Sequence, residues 1–198
     1  MNAVPSEPDP APGALQGPPE RMATGESFAG HVDGACCLAL GGSFWLQRWY
    51  GRINATSLRA MADATIVHAR TELAGCGVAG FSLLDPSIEV RTDEGIRREA
   101  SRLDQTLAPV HLCHALVVLG PSWMFHLARA FTAAARLTTE VRPPHQAFHA
   151  TAPAIDFLVE QLVRRPGVAV DETAARRQLV DLLRLTDELR REHEPRLS

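Results

Sequence analysis

The chain has 198 residues, of which 45% are hydrophobic and 22% are charged. This length suits one domain with tails, and it permits a hydrophobic core without support from disulfides or metals. The formal net charge of -3 argues against a nucleic-acid-binding surface, and no apolar run approaches the ~20 residues that a membrane span requires.

The ends and the composition narrow the class of protein further. The N-terminal sequence MNAVPSEPDP has neither a basic region nor an apolar region, so it does not resemble a secretory signal. We therefore expect a cytoplasmic protein with reduced cysteines. All 20 basic residues are arginine, which excludes Schiff-base and P-loop lysine chemistry. Residues 1–27 are rich in proline and poor in large apolar side chains, which predicts a disordered tail.

From residue 28 onwards, strand patterns alternate with helix patterns. Apolar runs on both sides of Gly41-Gly42 predict an antiparallel hairpin, and polar clusters precede the helical repeats, where they would act as caps. The predicted elements are strands at 31–40, 44–50, 78–84, 112–119 and 146–150, and helices at 58–73, at 96–107, from Ser122 and from Thr151. This order predicts an α/β domain over residues 28–165. Four to five strands would form a mostly parallel mixed sheet with crossover helices.

A separate C-terminal amphipathic helix is predicted within residues 168–195. Its apolar positions recur at alternating steps of four and three residues and form a narrow seam: Ala175, Leu179, Leu182, Thr186 and Leu189. Such a seam either packs on the helix's own domain or pairs with a second copy of the chain. A homodimer through this helix is therefore one expectation.

No spacing in the sequence predicts a catalytic, metal or cofactor site. On a regular strand, His111 and Cys113 would share one face and His114 would point to the other. Cys36 and Cys37 would likewise lie on opposite faces, so four convergent metal ligands are not indicated. The chain also lacks a GxSxG elbow. We predict a protein that is not an enzyme, although a Cys/His pair could still meet in space.

Two segments resemble a known family. Residues 44–58, FWLQRWYGRINATSL, resemble the opening of STAS domains, the fold of bacterial anti-sigma-factor antagonists. There an apolar strand runs into Gly-x-Leu/Ile-Asp and a helix capped by Thr or Ser. Residues 83–96, LLDPSIEVRTDEGI, look like the family's central strand, which ends in Asp-x-Ser before a loop that reaches Asp-Ser-Ser-Gly-Leu. The resemblance spans about residues 31–163 and implies a STAS-like (SpoIIAA-like) domain.

The resemblance implies a regulatory module that binds a protein, such as a kinase-like regulator. In that family, the serine before the glycine is phosphorylated and controls docking. Here Glu94 precedes Gly95 and no hydroxyl stands at this position. Glu94 therefore either provides a permanent negative charge in place of the switch or is an ordinary favourable acid in a first helical turn. The expected partner-binding residues are Asn54, Thr56, Ser57, Asp85, Ser87, Thr92, Asp93, Glu94 and Gly95.

A carrier of a small apolar ligand or lipid is the alternative function. The CRAL-TRIO lipid-binding fold shows a similar alternation of strands and helices. The ligand would lie between the sheet and the helix that carries Met124 and Phe131. The sequence does not distinguish a filled core from an open one, so both functions stand as expectations.

Overall fold

The computed structural model describes residues 27–71, 77–89, 94–126, 128–129, 143–165 and 170–193. The predicted disordered tail at 1–27 therefore lies almost entirely outside the described residues. The strands are β1 (Phe28–Asp33), β2 (Cys36–Gly41), β3 (Phe44–Trp49), β4 (Val78–Leu84), β5 (His111–Val118) and β6 (His145–Phe148). The helices are α1 (Ala55–Thr71), α2 (Glu94–Leu107), α3 (Thr151–Val163) and α4 (Glu172–His193). Residues 122–126 and 128–129 are also helical.

All six strands form one mixed sheet in chain order, β1-β2-β3-β4-β5-β6. The first three strands are antiparallel neighbours, and β3 to β6 run parallel. The α/β class and the predicted Gly-Gly hairpin are confirmed. The turn between β2 and β3 places Gly42 at a φ of 46°, in the left-handed region that favours glycine.

The predicted number of four to five strands is wrong, because the run at 31–40 contains two strands. β1 and β2 are joined by a tight turn at Gly34 and Ala35, and Asp33 is paired with Cys36 across it. The Asp33-Gly34 dipeptide is itself a hairpin signal. The turn was not predicted, because the apolar pattern continues on both sides of it.

The two faces of the sheet are covered by different helices. On the first face, α1, α2 and the helical segment around Met124 pack over side chains such as Trp45 and Trp49. On the second face, α3 and α4 pack over Phe44, Leu46 and their neighbours. Alternate residues of β3 therefore enter two separate cores, as the period of two in a strand requires.

Two local details correct the sequence reasoning. Thr151 was predicted as the cap of its helix, but it is the first helical residue of α3, whose N-cap is Ala150 and has no side-chain hydrogen bond. His111 and His114 lie on the same face, with ring centroids 5.6 Å apart, whereas Cys113 belongs to the core of the second face. A register shift causes this, because Val78 pairs with His111 but the next residue, Ala79, pairs with Cys113.

The helix α4 packs on the sheet of its own chain. Ala175, Leu179, Leu182 and Thr186 of the predicted seam are buried, and α4 contacts β1, β2 and β3. The seam is thus covered within the chain, and pairing with a second copy remains a prediction. None of the helices, over the residues that can be described, is both long and apolar enough to cross a lipid bilayer.

Candidate functional site

The carboxyl ends of β3, β4 and β5 meet at one edge of the sheet, because the three strands are parallel neighbours. We call the segments that follow them, residues 50–58, 85–89, 94–95 and 119–126, the carboxyl edge. Backbone bonds connect these segments: Glu89 N donates to Gly51 O at 3.3 Å, and Leu119 N donates to Leu84 O at 2.9 Å. The structure therefore brings the predicted residues within 50–58 and 85–89 together, and Glu94 and Gly95 begin α2 after β4. Thr92 and Asp93 lie outside the described residues.

Asn54 and Ser57 of the predicted set form the start of α1. The Asn54 side-chain oxygen accepts hydrogen bonds from Ser57 N at 2.8 Å and from Ser57 Oγ at 3.0 Å. This is an N-cap that satisfies otherwise unpaired donors of the first helical turn. Ser57 is fully buried, whereas Thr56 is exposed. Thr56 is thus the member of this group whose side chain faces solvent most openly.

Asp85 is buried and bonded from both sides. Arg48 Nε donates to Asp85 Oδ1 at 2.9 Å, and Arg190 Nε donates to Asp85 Oδ2 at 3.1 Å. Arg48 also pairs with Asp187 of α4. Burial lowers the pKa of Arg48, but the carboxylates of Asp85 and Asp187 outweigh this effect and raise it. Sequence reasoning missed both arginines, because no local pattern links β3 and the end of α4 to residue 85.

The neighbouring polar residues of the carboxyl edge are accessible. Ser87 is exposed, and its Oγ donates to Tyr50 O at 2.9 Å. Glu94 is exposed at the first position of α2, and Gly95 beside it is half-buried. A carboxylate at this position interacts favourably with the helix dipole. These residues present hydroxyl, carboxylate and backbone groups to solvent.

Trp123 supplies a large apolar side chain at the same edge. It is the second residue of the helical segment that begins at Ser122, and it is 62% exposed, while Leu119, the first residue after β5, is 38% exposed. Trp45 and Trp49, by contrast, are buried in the first-face core. Tryptophan is enriched in protein interfaces and among the residues that contribute most to binding. Trp123 is therefore the described tryptophan whose side chain is available to a partner.

A polar cluster lies on the first face of the sheet, with Trp45, Gln47 and Ser82 buried and its three histidines half-buried. It consists of Trp45, Gln47, Ser82, His111, His114 and His145. The indole ring of Trp45 stacks on His114 with centroids 5.3 Å apart, and Ser82 Oγ lies 2.8 Å from His114 Nε2. Gly80 makes room for this stack, since a Cβ there would be 2.5 Å from Trp45 and 2.7 Å from His114.

Two histidines of this cluster, His111 and His114, are neutral near neutral pH. Burial, and then the neighbouring His145, lower the pKa of His111 to about 3 and that of His114 well below its ordinary value. Within the described part of the chain, Trp45 Nε1, Gln47 Oε1 and His111 Nε2 are buried without a hydrogen-bond partner. Over the same residues, no three His, Cys, Asp or Glu side chains are arranged to hold a metal ion.

The described cysteines are not activated for nucleophilic chemistry. Burial raises the pKa of Cys37 and of Cys113 to about 12, which keeps both thiols protonated near neutral pH. Cys36 is also buried, and Cys36 and Cys37 enter opposite faces of the sheet, as predicted. Ser82, which contacts His114, is only 2% exposed and lies beneath the helices, so its hydroxyl has no open approach.

A cleft of about 380 Å³ opens at the opposite end of β3. Phe44, Leu162, Val170 and Ala175 contribute its apolar lining, and Arg177 is among the polar groups beside them. This cleft does not coincide with the lipid site expected from the sequence, which would lie between the sheet and the helix of Met124. There Met124 packs into the buried core, and Phe131 lies outside the described residues.

Comparisons with known proteins add no family to this description. No family model, no curated protein and no solved structure matches the chain. The fold is established by its own geometry: a six-stranded mixed sheet with helices on both faces and a long C-terminal helix.

Proposed function

We propose that this protein is a non-enzymatic regulatory module that binds a protein partner through the carboxyl edge. The observation that carries the proposal is the 62% exposure of Trp123 at the sheet edge where the carboxyl ends of β3, β4 and β5 meet. A large aromatic side chain surrounded by polar groups is the arrangement found at the centre of many protein interfaces. The resemblance to STAS domains supports the same edge, because both resembling segments contribute to it.

In this proposed module, Glu94 supplies a permanent negative charge at the binding surface. Its carboxylate stands at the first position of α2, where the STAS resemblance places a phosphorylated serine next to the glycine. The partner would thus meet a permanent anion at the end of a helix. The competing explanation is an ordinary acidic residue in a first helical turn, which stabilises a helix by about 0.3–1 kcal/mol.

The edge is tested by affinity capture with the full chain and two matched variants. Trp123→Ala removes the exposed aromatic group, and Val67→Ala removes an apolar group that is 49% exposed near the far end of α1. We expect a stoichiometric protein partner whose affinity falls about tenfold or more with Trp123→Ala and stays unchanged with Val67→Ala. Equal affinity of both variants for the partner would contradict the proposed surface.

The charge is tested separately with Glu94→Ser and Glu94→Ala. If the anion contributes to binding, both variants should change the partner's affinity in the same direction. If Glu94 only stabilises α2, the affinity should stay constant, while the free energy of unfolding falls by less than about 1 kcal/mol. The latter result would refute the role of the charge and leave the carboxyl edge in place.

Carriage of a small apolar ligand is the second candidate. The cleft at Phe44, Leu162 and Val170 supports it, because a volume of about 380 Å³ lined by both apolar and polar side chains can accept a small molecule. Native mass spectrometry of the purified chain tests this directly. A co-purified ligand that is lost in Val170→Asp would support carriage, and a ligand-free mass would argue against it.

A further inference from the structure

The last two turns of α4, residues 186–193, are attached to the sheet mainly through polar and charged groups. Within the described part of α4, Leu182 is the last apolar side chain that is fully buried. Beyond it, Asp187 pairs with Arg48 and Arg190 donates to Asp85. The guanidinium carbon of Arg190 also lies 5.0 Å from the centroid of the Tyr50 ring. We call residues 186–193 the latch segment.

The latch segment occupies a residue that the proposed function assigns to the partner. Asp85 uses one oxygen for Arg48 and the other for Arg190. Its side chain is only 6% exposed with α4 in place. A partner that contacts the Asp85 side chain must therefore first displace Arg190. The ring face of Tyr50 that Arg190 covers becomes accessible in the same step.

We propose that the latch segment covers this part of the carboxyl edge in the free protein, and that the partner binds by replacing it with an amphipathic helix of its own. This inference rests on the proposed function. The replacing helix must supply what α4 supplies: a guanidinium for Asp85 and Tyr50, and a carboxylate for Arg48. Asp187 and Arg190 are three residues apart, a spacing that puts both groups on one helix face.

Release of the latch segment leaves no buried charge without a partner. Arg48 stays on β3 and keeps its bond to Asp85 when Arg190 moves away. Arg190 and Asp187 have side chains that are 20% and 55% exposed, so both return to water easily. The Arg190–Asp85 pair, with side chains 20% and 6% exposed, is the main attachment of the latch segment, whereas the apolar seam at Leu179 and Leu182 holds the earlier turns of α4. The end of α4 can thus open while its first turns stay docked.

Cys37 provides a direct measurement of this opening. Its thiol is fully buried beneath α4, with Sγ 3.9 Å from Thr186 O. The experiment uses the full chain with the other three cysteines, Cys36, Cys76 and Cys113, replaced by alanine. The rate of alkylation by N-ethylmaleimide is then compared between Arg190→Gln and Arg184→Gln. The second is a matched control, because Arg184 forms an exposed pair with Glu188 on the same helix.

We expect Arg190→Gln to increase the alkylation rate of Cys37 about tenfold or more, since it removes a charge-assisted hydrogen bond. Arg184→Gln should leave the rate unchanged. A chain whose single cysteine is Cys113, buried in the second-face core, should show no increase with Arg190→Gln, which separates local opening from unfolding. If Arg190→Gln leaves the alkylation of Cys37 unchanged, or increases that of Cys113 equally, the latch is refuted.

Competition with the partner is measured as affinity. If the latch segment covers the binding surface, the dissociation constant for the captured partner should fall with Arg190→Gln by the same factor by which the alkylation rate rises. Faster alkylation with an unchanged dissociation constant would overturn the competition and leave the proposed function intact. If no protein binds to either form, the proposed function fails and the competition fails with it.

Discussion

Two histidines of the polar cluster on the first face, His111 and His114, make the stability of this protein depend on pH below neutrality. His111 and His114 are neutral in the fold, because burial lowers the pKa of His111 to about 3 and that of His114 well below its ordinary value. In the unfolded chain, each imidazole binds a proton near pH 6.5. The unfolded state therefore binds more protons than the native state below this pH, and the free energy of unfolding falls as the pH falls.

The magnitude follows from linkage. Each of the two histidines lowers the free energy of unfolding by about 2 kcal/mol when the pH falls from 7.5 to 5, because the unfolded chain binds a proton that the folded chain does not. The pair gives about 4 kcal/mol, a large part of the roughly 5–15 kcal/mol by which domains are stable. The window for His111 extends from about pH 6.5 down to about pH 3, where its folded form titrates.

Urea unfolding measured by tryptophan fluorescence at several pH values between 7.5 and 5 tests this. His114→Gln should approximately halve the slope of stability against pH, whatever its effect on stability at pH 7.5. His126→Gln is the matched control, because His126 is exposed and should leave the slope unchanged. A wild-type stability that is constant over this range, or an unaltered slope in His114→Gln, would refute the reasoning.

Three further predictions concern packing and capping, each measured as the free energy of unfolding. Gly80→Ala should destabilise the fold by about 1–3 kcal/mol, because its Cβ would come within 2.5 Å of the stacked indole ring and 2.7 Å of the imidazole ring. Asn54→Ala should cost about 1 kcal/mol through the lost cap of α1, whereas Thr56→Ala, at an exposed position, should cost less than half of that. Leu182→Ala should cost about 2–5 kcal/mol, and Val180→Ala, 53% exposed on the same helix, should be nearly neutral; equal effects would contradict the docking of α4.

The elements that the sequence predicted well are those whose pattern is local. β4 was expected at 78–84 and lies there, because both faces of the strand are buried and the apolar run ends at polar residues. α2 ends at Leu107, as the helical repeat and the following Pro109 indicated. The C-terminal helix follows its seam for the same reason. In each case, neighbouring residues contain all the information that the prediction needs.

The features that the sequence did not predict depend on contacts between distant segments. The shared face of His111 and His114 results from a register shift against β4, which no pattern within β5 reveals. The bonds of Arg48 and Arg190 to Asp85 exist only because α4 returns across the end of β3. Asp85 was predicted as a partner contact from the resemblance alone. The structure places it in a buried ion pair, and its contact with a partner stays a prediction.

The histidine cluster and the ion pairs of Asp85 should respond to different perturbations, because they lie on opposite faces of the sheet. Acidification protonates His111 and His114 in the unfolded chain and so lowers the stability of the whole fold. Loss of the Arg190 charge removes one bond of the latch segment and leaves the histidine cluster untouched. Partner affinity is therefore best compared above pH 6.5, where the free energy of unfolding changes little with pH. A change of affinity there with Arg190→Gln reports on the carboxyl edge, whereas a loss that begins only below pH 6 reports on unfolding.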